Sequence, residues 1–310
     1  MSNTRWIKGC SFLLALLLVA SQSVMAWTYT DIAGCQFLVD ASKIVGLADG
    51  DAVATWTDLS GAGHDATQSV ALTRPHYKTG IINGKAVVRF TTSNGSYLST
   101  SAFTMNQPST VCMVVKQADT GSYVYMDGSP NWSRVIGYFS PNVHVIGGVN
   151  LTQAITDPTA FAVICGVYNG ASASINSYNG TTVTGNAGTA ASAGVWLGCN
   201  SGHDTCSNSD NAITVAYDSA LSAGNRAKVE GCMAWTYGLE GNLPVGHTYK
   251  STNPCPAGAS KRRILNAAFE PFDLDGLTPW IPDWIDAKVR GYWWALSAPF
   301  ICPPGHQAGR

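Results

Sequence analysis

Charge is the first thing this chain of 310 residues has little of: Asp, Glu, Lys and Arg together make 12% of it, about half the usual share. Eighteen basic residues nearly cancel nineteen acidic ones. Without a basic stripe there is no basis for counterion-release binding to nucleic acid, so no nucleic-acid partner is expected. Glu occurs only at Glu230, Glu240 and Glu270. That scarcity removes the E-x-D-x-x-E strand motif with which sandwich glycosidases supply their acid and nucleophile. No G-x-S-x-G elbow is present for a Ser–His–Asp hydrolase, no C-x-x-C pair for a zinc ribbon or redox site, and no EF-hand loop for calcium. A polysaccharide-active enzyme built on Tyr and His is imaginable from His64, His76, His144, Tyr123 and Tyr138, but no spacing singles them out. Long apolar runs are missing too. The longest, Ser11 to Ala20, is about half of the roughly 20 residues that cross a bilayer.

That short run is nevertheless informative. Arg5 and Lys8 precede it and Val24-Met25-Ala26 follows it, the pattern of a secretory signal peptide cleaved after Ala26. Cys10 lies before the apolar run rather than after it, which argues against a lipoprotein. The mature chain is expected to be secreted, extracellular or in the cell envelope, with no transmembrane segment. Eight Cys follow the leader, an even number that permits disulfides in an oxidising compartment. Cys199 and Cys206 flank a short polar loop and are the expected local bridge. Cys255 and Cys302 are further candidates. Cys112 and Cys165 lie inside apolar runs, where Cys commonly acts as a small buried hydrophobe.

What is abundant points to β structure. Thirty-two Gly, with Asn-Gly and Asp-Gly pairs at 49–50, 83–84, 94–95, 169–170 and 179–180, punctuate short apolar segments from residue 34 to 222. Asn-Gly and Asp-Gly tolerate the positive φ that tight hairpin turns need. Many strands at close spacing without helices between them give an antiparallel sandwich or jelly roll. One helix is expected late. Ser222 serves as its N-cap, Val229, Cys232, Met233 and Tyr237 share one apolar face, and Gly238 stops it.

Three stretches resemble the concanavalin A-like, laminin-G-type sandwich family of bacterial exported and phage proteins. Trp56, Asp58, Leu59, Ser60, Gly61, Gly63, Ala66 and Gln68, then Arg74-Pro75, resemble its W-x-D-L-S-G-x-G-x-x-A-x-Q…R-P segment. Asn83-Gly84 with Val87-Val88 and Phe90 resembles its N-G-x-x-V-V-x-F strand. Tyr217-Asp218, Leu221-Ser222, Glu230-Gly231, Ala234-Trp235, Tyr237-Gly238-Leu239, Leu243-Pro244, His247 and Tyr249 resemble its ending. The chain departs from the family at Thr91-Thr92, where Asp-Gly is usual, and at Ile213, Thr214 and Val215, where an acidic residue is usual. Cys232-Met233 replaces Tyr-Leu. The resemblance implies an all-β, concanavalin A-like antiparallel β-sandwich with one C-terminal α-helix, and says little about function. Members often hold one Ca²⁺ at a sheet rim; Asp127 and Asp204 are the candidate ligands here.

Asp58 is expected to accept from the backbone N–H groups of its own turn, and Trp56 to be core. The leading functional expectation is a non-catalytic recognition module for carbohydrate or a cell-surface ligand. Tyr123, Tyr125, Asp127, Asn131, Trp132 and Arg134 place aromatic and planar polar groups within twelve residues, the combination that sugar faces and hydroxyls require. The alternative is a structural or adhesive envelope or virion component with no small-ligand pocket. The chain then divides into a leader (1–26), a sandwich (27–256) and a linker with a Trp/Pro-rich appendage (257–310). Trp280, Trp284, Trp293 and Trp294 make that appendage a candidate surface for self-association or partner contact.

Overall fold

The computed structural model of the chain describes residues 27–155, 157–177 and 182–255. The expected leader, the Trp/Pro-rich appendage with Cys302, and the hairpin tip at Asn179-Gly180 lie outside the described residues.

Among the described residues sixteen strands follow one another. They are β1 (Cys35–Asp40), β2 (Thr55–Trp56), β3 (Ala66–Thr67), β4 (His76–Ile82), β5 (Lys85–Phe90), β6 (Leu98–Ser99), β7 (Ser109–Gln117) and β8 (Tyr123–Ser129). After these come β9 (Val135–Phe139), β10 (Asn142–Ile146), β11 (Asn150–Ala154), β12 (Ala162–Tyr168), β13 (Ala173–Ser177), β14 (Val183–Gly185), β15 (Ala193–Leu197) and β16 (Ser209–Tyr217). They form two eight-stranded sheets. The first runs β14-β13-β12-β7-β16-β5-β4, with β1 also paired to β16, and the second runs β11-β10-β9-β8-β15-β6-β3-β2. Every pairing is antiparallel, as a sequence rich in turns and poor in helix formers demands. β16 is central and buried along its whole length, apolar on both sides from Ala212 onward except at Thr214. Its early residues pair with β5 and its later ones with β1, while β7 lies along its other edge.

The inner faces meet in one core that includes Trp56, Phe37, Phe90, Met113, Tyr125, Ile136 and Tyr168. The outer face of the first sheet carries a second core. Val87, Cys112, Val114, Cys165, Ile213 and Val215 meet Val229, Met233, Ala234 and Tyr237 of helix α1 (Ala223–Tyr237) there. The helix starts and stops where expected. The Ser222 side chain accepts from the Asn225 N–H, and Gly238 takes φ 68° at the C-terminal end. Tyr237 anchors it inward, its hydroxyl donating to Asp40 Oδ1 at 2.7 Å and to the Ala212 carbonyl at 3.0 Å. Asp58 accepts from the N–H groups of Ser60, His64 and Leu38, which ties its turn to β1.

Among the described residues three disulfides fasten the structure. Cys199–Cys206 forms as expected. Cys112 and Cys165 are not merely small hydrophobes: they pair directly across β7 and β12 and are bridged. Cys255 is bonded to Cys232 of the helix, not to Cys302. Residues 249–254 lie close enough for this because position 231 is Gly. A Cβ there would sit 2.5 Å from that of Tyr249 and 3.1 Å from the Pro254 ring. Three bridges suit a chain that folds under oxidising conditions. Among the described residues no helix is long and apolar enough to cross a membrane.

Candidate functional site

The two outer faces differ. The helix covers that of the first sheet, whereas among the described residues no helix packs on that of the second, which carries rings. In β9 and β10, Ile136, Tyr138, Val143 and Val145 face the core. The alternate set, Val135, Phe139, His144 and Ile146, faces outward, with Val124 of β8. Gly137 lies opposite both His144 and Val124. Having no side chain, it leaves the space that the Phe139 ring occupies, since a Cβ there would sit 3.2 Å from that ring.

Two ring groups result. In one, Trp132 and Phe139 have centroids 5.7 Å apart and Phe139 meets His144 edge-on at 4.9 Å. In the other, Tyr97 stacks on Trp196 at 5.1 Å, and the His203 ring stands edge-on to both at 4.4 and 4.9 Å. A shallow depression of about 590 Å³ lies between them, lined by Phe139 of the first group and His203 of the second, with Asp204, Thr205, Ser122 and Thr92.

The loops bearing these rings are set by one carboxylate. Asp127, at the end of β8, is completely buried. It accepts from four backbone N–H groups: Gly128 at 2.7 Å and Arg134 at 3.2 Å on Oδ1, Trp132 at 2.9 Å and Ser201 at 3.3 Å on Oδ2. It thus joins the 128–134 loop to the 199–206 loop. Burial pushes its carboxyl above the ordinary range, against the pull of these N–H groups. Trp132 and His203 sit on these two loops with φ 63° and 61°. Left-handed backbone in a non-glycine residue costs about 1 kcal/mol or more and concentrates at ligand-contacting positions. The Cys199–Cys206 bridge closes the second loop. Inside it, Asn200 Oδ1 accepts from the N–H groups of Asp204 and Thr205 while its Nδ2 donates to Asp204 Oδ1.

The residues singled out from the sequence therefore separate. Trp132 is half-buried in a ring group and Asn131 is exposed beside it. Tyr123 is half-buried at the margin, where its hydroxyl accepts from Asn208 Nδ2. Tyr125, Asp127 and Arg134 lie in the interior. Strict alternation would put Tyr123 and Tyr125 on one face, but an irregularity between Val124 and Met126 breaks it and turns Tyr125 into the core. The Arg134 guanidinium lies 4.7 Å over the Tyr168 ring and donates to Ser109 Oγ. Burial lowers its pKa. These three shape the site from beneath. Tyr97, Phe139, Trp196 and His203 escaped the sequence reading.

For a divalent ion, the two carboxylates are unequal. All four N–H bonds of Asp127 fall where a metal would have to bind. Asp204 is exposed, with both of its side-chain donors on Oδ1. Among the described residues no three His, Cys, Asp or Glu side chains converge. Two rings, Phe139 and His203, and one carboxylate, Asp204, thus share the lining of the depression.

No protein-family model matches the chain, and no curated protein does. Several solved structures are similar at low identity. Domain 4 of AbnA, a GH43 extracellular arabinanase from Geobacillus stearothermophilus, in complex with arabinotriose, is 12% identical with a TM-score of 0.46, over 64% of this chain and 98% of that one. A GH54 α-L-arabinofuranosidase soaked with a cyclic sulfate inhibitor is 14% identical with a TM-score of 0.45, over 67% and 60%. Trypanosoma rangeli sialidase in complex with sialic acid is 13% identical with a TM-score of 0.39, over 63% of this chain and 32% of that one. This chain thus spans about a third of the sialidase and assigns itself to no family by these likenesses.

Proposed function

We propose that the chain is an exported recognition module that binds glycan non-covalently on the open face of its second sheet. The observation that carries this reading is the pair of ring groups, Trp132–Phe139–His144 and Tyr97–Trp196–His203, on either side of a depression holding Asp204. Ring faces take the C–H faces of sugars, and a few fixed polar groups orient the hydroxyls. Asn131 and Asp204 are the polar groups at hand. Ca²⁺, if bound, engages Asp204.

A glycan array probed with residues 27–310 tests the proposal. Trp132→Ala and His203→Ala are expected each to weaken the captured glycan about tenfold, the loss of roughly 1.4 kcal/mol. Binding of no glycan by the unaltered chain overturns the proposal in favour of a structural envelope or virion component. A melting temperature that falls with chelator reads out Ca²⁺.

A further inference from the structure

The covered face of the first sheet is not completely filled. Beside β12, β13 and helix α1, the returning segment 239–248 leaves a cleft of about 900 Å³, within the size range of small-molecule sites. Phe161, Leu239, Leu243 and Pro244 make part of its wall apolar. The polar residues among its lining are gathered around Glu230, whose side chain is 8% exposed.

Asn176 Nδ2 donates to Glu230 Oε1 at 2.8 Å and Arg226 Nε lies 3.3 Å from the same oxygen. His247 Nε2 is 3.2 Å from Oε2. The Tyr249 N–H donates to His247 Nδ1 at 3.1 Å, so Nε2 carries the proton and donates to Glu230. Arg226 Nε is ion-paired with Glu230, and the buried acceptor Asn176 Oδ1 is left without a hydrogen bond. Buried polar atoms are nearly always satisfied, so an unmatched acceptor in the wall of a cleft of this size points to an occupant.

We infer that the cleft is a second binding site, taking a neutral, hydroxyl-bearing ring such as one or two sugar residues at a glycan end. Ligand hydroxyls meet Asn176, Asn242 and Thr248 of the lining, and the apolar side of the ring lies against Leu239, Leu243 and Pro244. Charge selects neutrality. Glu230 and Arg226 are already paired with each other, so neither offers an unpaired charge to a ligand. This site is distinct from the open face and does not depend on it.

The test uses the chain with ¹⁵N label, titrated with maltohexaose, cellohexaose, xylohexaose, arabinohexaose and chitohexaose. At least one is expected to shift the Asn176 side-chain amide. Ala227→Trp and Gly246→Trp both place an indole in the cleft; a Cβ at 246 meets nothing within 4 Å, so this variant is expected to fold even if the first does not. Either is expected to weaken that sugar tenfold or more, while Trp132→Ala leaves the Asn176 shift unchanged. An Asn176 amide unmoved by every probe leaves only water in the cleft and overturns the inference, as does unaltered affinity in Gly246→Trp. Loss of open-face binding in Trp132→Ala with a persisting Asn176 shift separates the two sites.

Discussion

The two outer faces of this sandwich were given opposite uses. The face of the first sheet is apolar where β7, β12 and β16 run together, and the helix, the returning segment and two of the three bridges close over it. The face of the second sheet is bounded by the short pairs β2–β3–β6 and by the hairpins of β8 to β11, and nothing among the described residues packs over its rings. Its small apolar cluster, Val124, Val135 and Ile146, is capped only by Trp132 and Phe139. A covered face supplies stability and an open aromatic face supplies contact. Changes on the first should therefore cost folding, and changes on the second should cost binding.

The sharpest way to break this contrast is to cut the helix anchor. Tyr237→Ala removes a fully buried ring and both of its hydrogen bonds and is expected to destabilise by about 3–5 kcal/mol, read by urea denaturation. Trp132→Ala, half-exposed on the other face, should cost much less; an equal loss would mean that the open face is structural. The bridges give the next test. Cys112–Cys165 closes 53 residues and Cys199–Cys206 only seven, so by loop entropy their removal costs roughly 4 and roughly 2.5 kcal/mol. Replacing the second pair with Ala should loosen the His203 loop and weaken binding. Replacing the first should lower the melting temperature and leave affinity unchanged.

Much of the covered face was legible in the sequence. Ser222, the Val229–Tyr237 stripe and Gly238 are local signals, and a helix is a local structure. Trp56 and Asp58 also sit as their motif implied. The open face was not legible, because its rings come from distant segments. Tyr97 and Trp196 meet only because Trp196 pairs with Ser99 across β15 and β6, and β6 is two residues long, too short for any periodicity. His203 joins them through a loop held by Asp127, a residue that looks like a surface ligand until the four N–H groups around it are seen. Strand β4 carries little periodicity of its own, since Gly80 interrupts its pattern.

Two turn carboxylates extend the comparison to pH. Burial raises Asp58, but bonds from Ser60, His64 and Leu38 outweigh it and hold the carboxyl below its ordinary value, about 3.9. Its contribution is complete above that value and is lost as pH falls through the lower folded one. Asp127 is raised, so its contribution has the opposite sign and declines as pH rises from the ordinary value through the higher folded one. In melts between pH 2 and 7, Asp58→Asn should flatten the acid limb and Asp127→Asn should steepen it. A smaller effect is expected at His203. Replacement by Gly relieves its φ of 61° and should change stability by less than about 1 kcal/mol, while removing the ring from Tyr97 and Trp196.

The most direct measurement is the affinity of the Trp132→Ala/His203→Ala double variant for whichever glycan the unaltered chain captures, taken with its melting temperature. The account predicts a loss of tenfold or more with melting within a few degrees of the parent. Undiminished affinity in a folded double variant would contradict it.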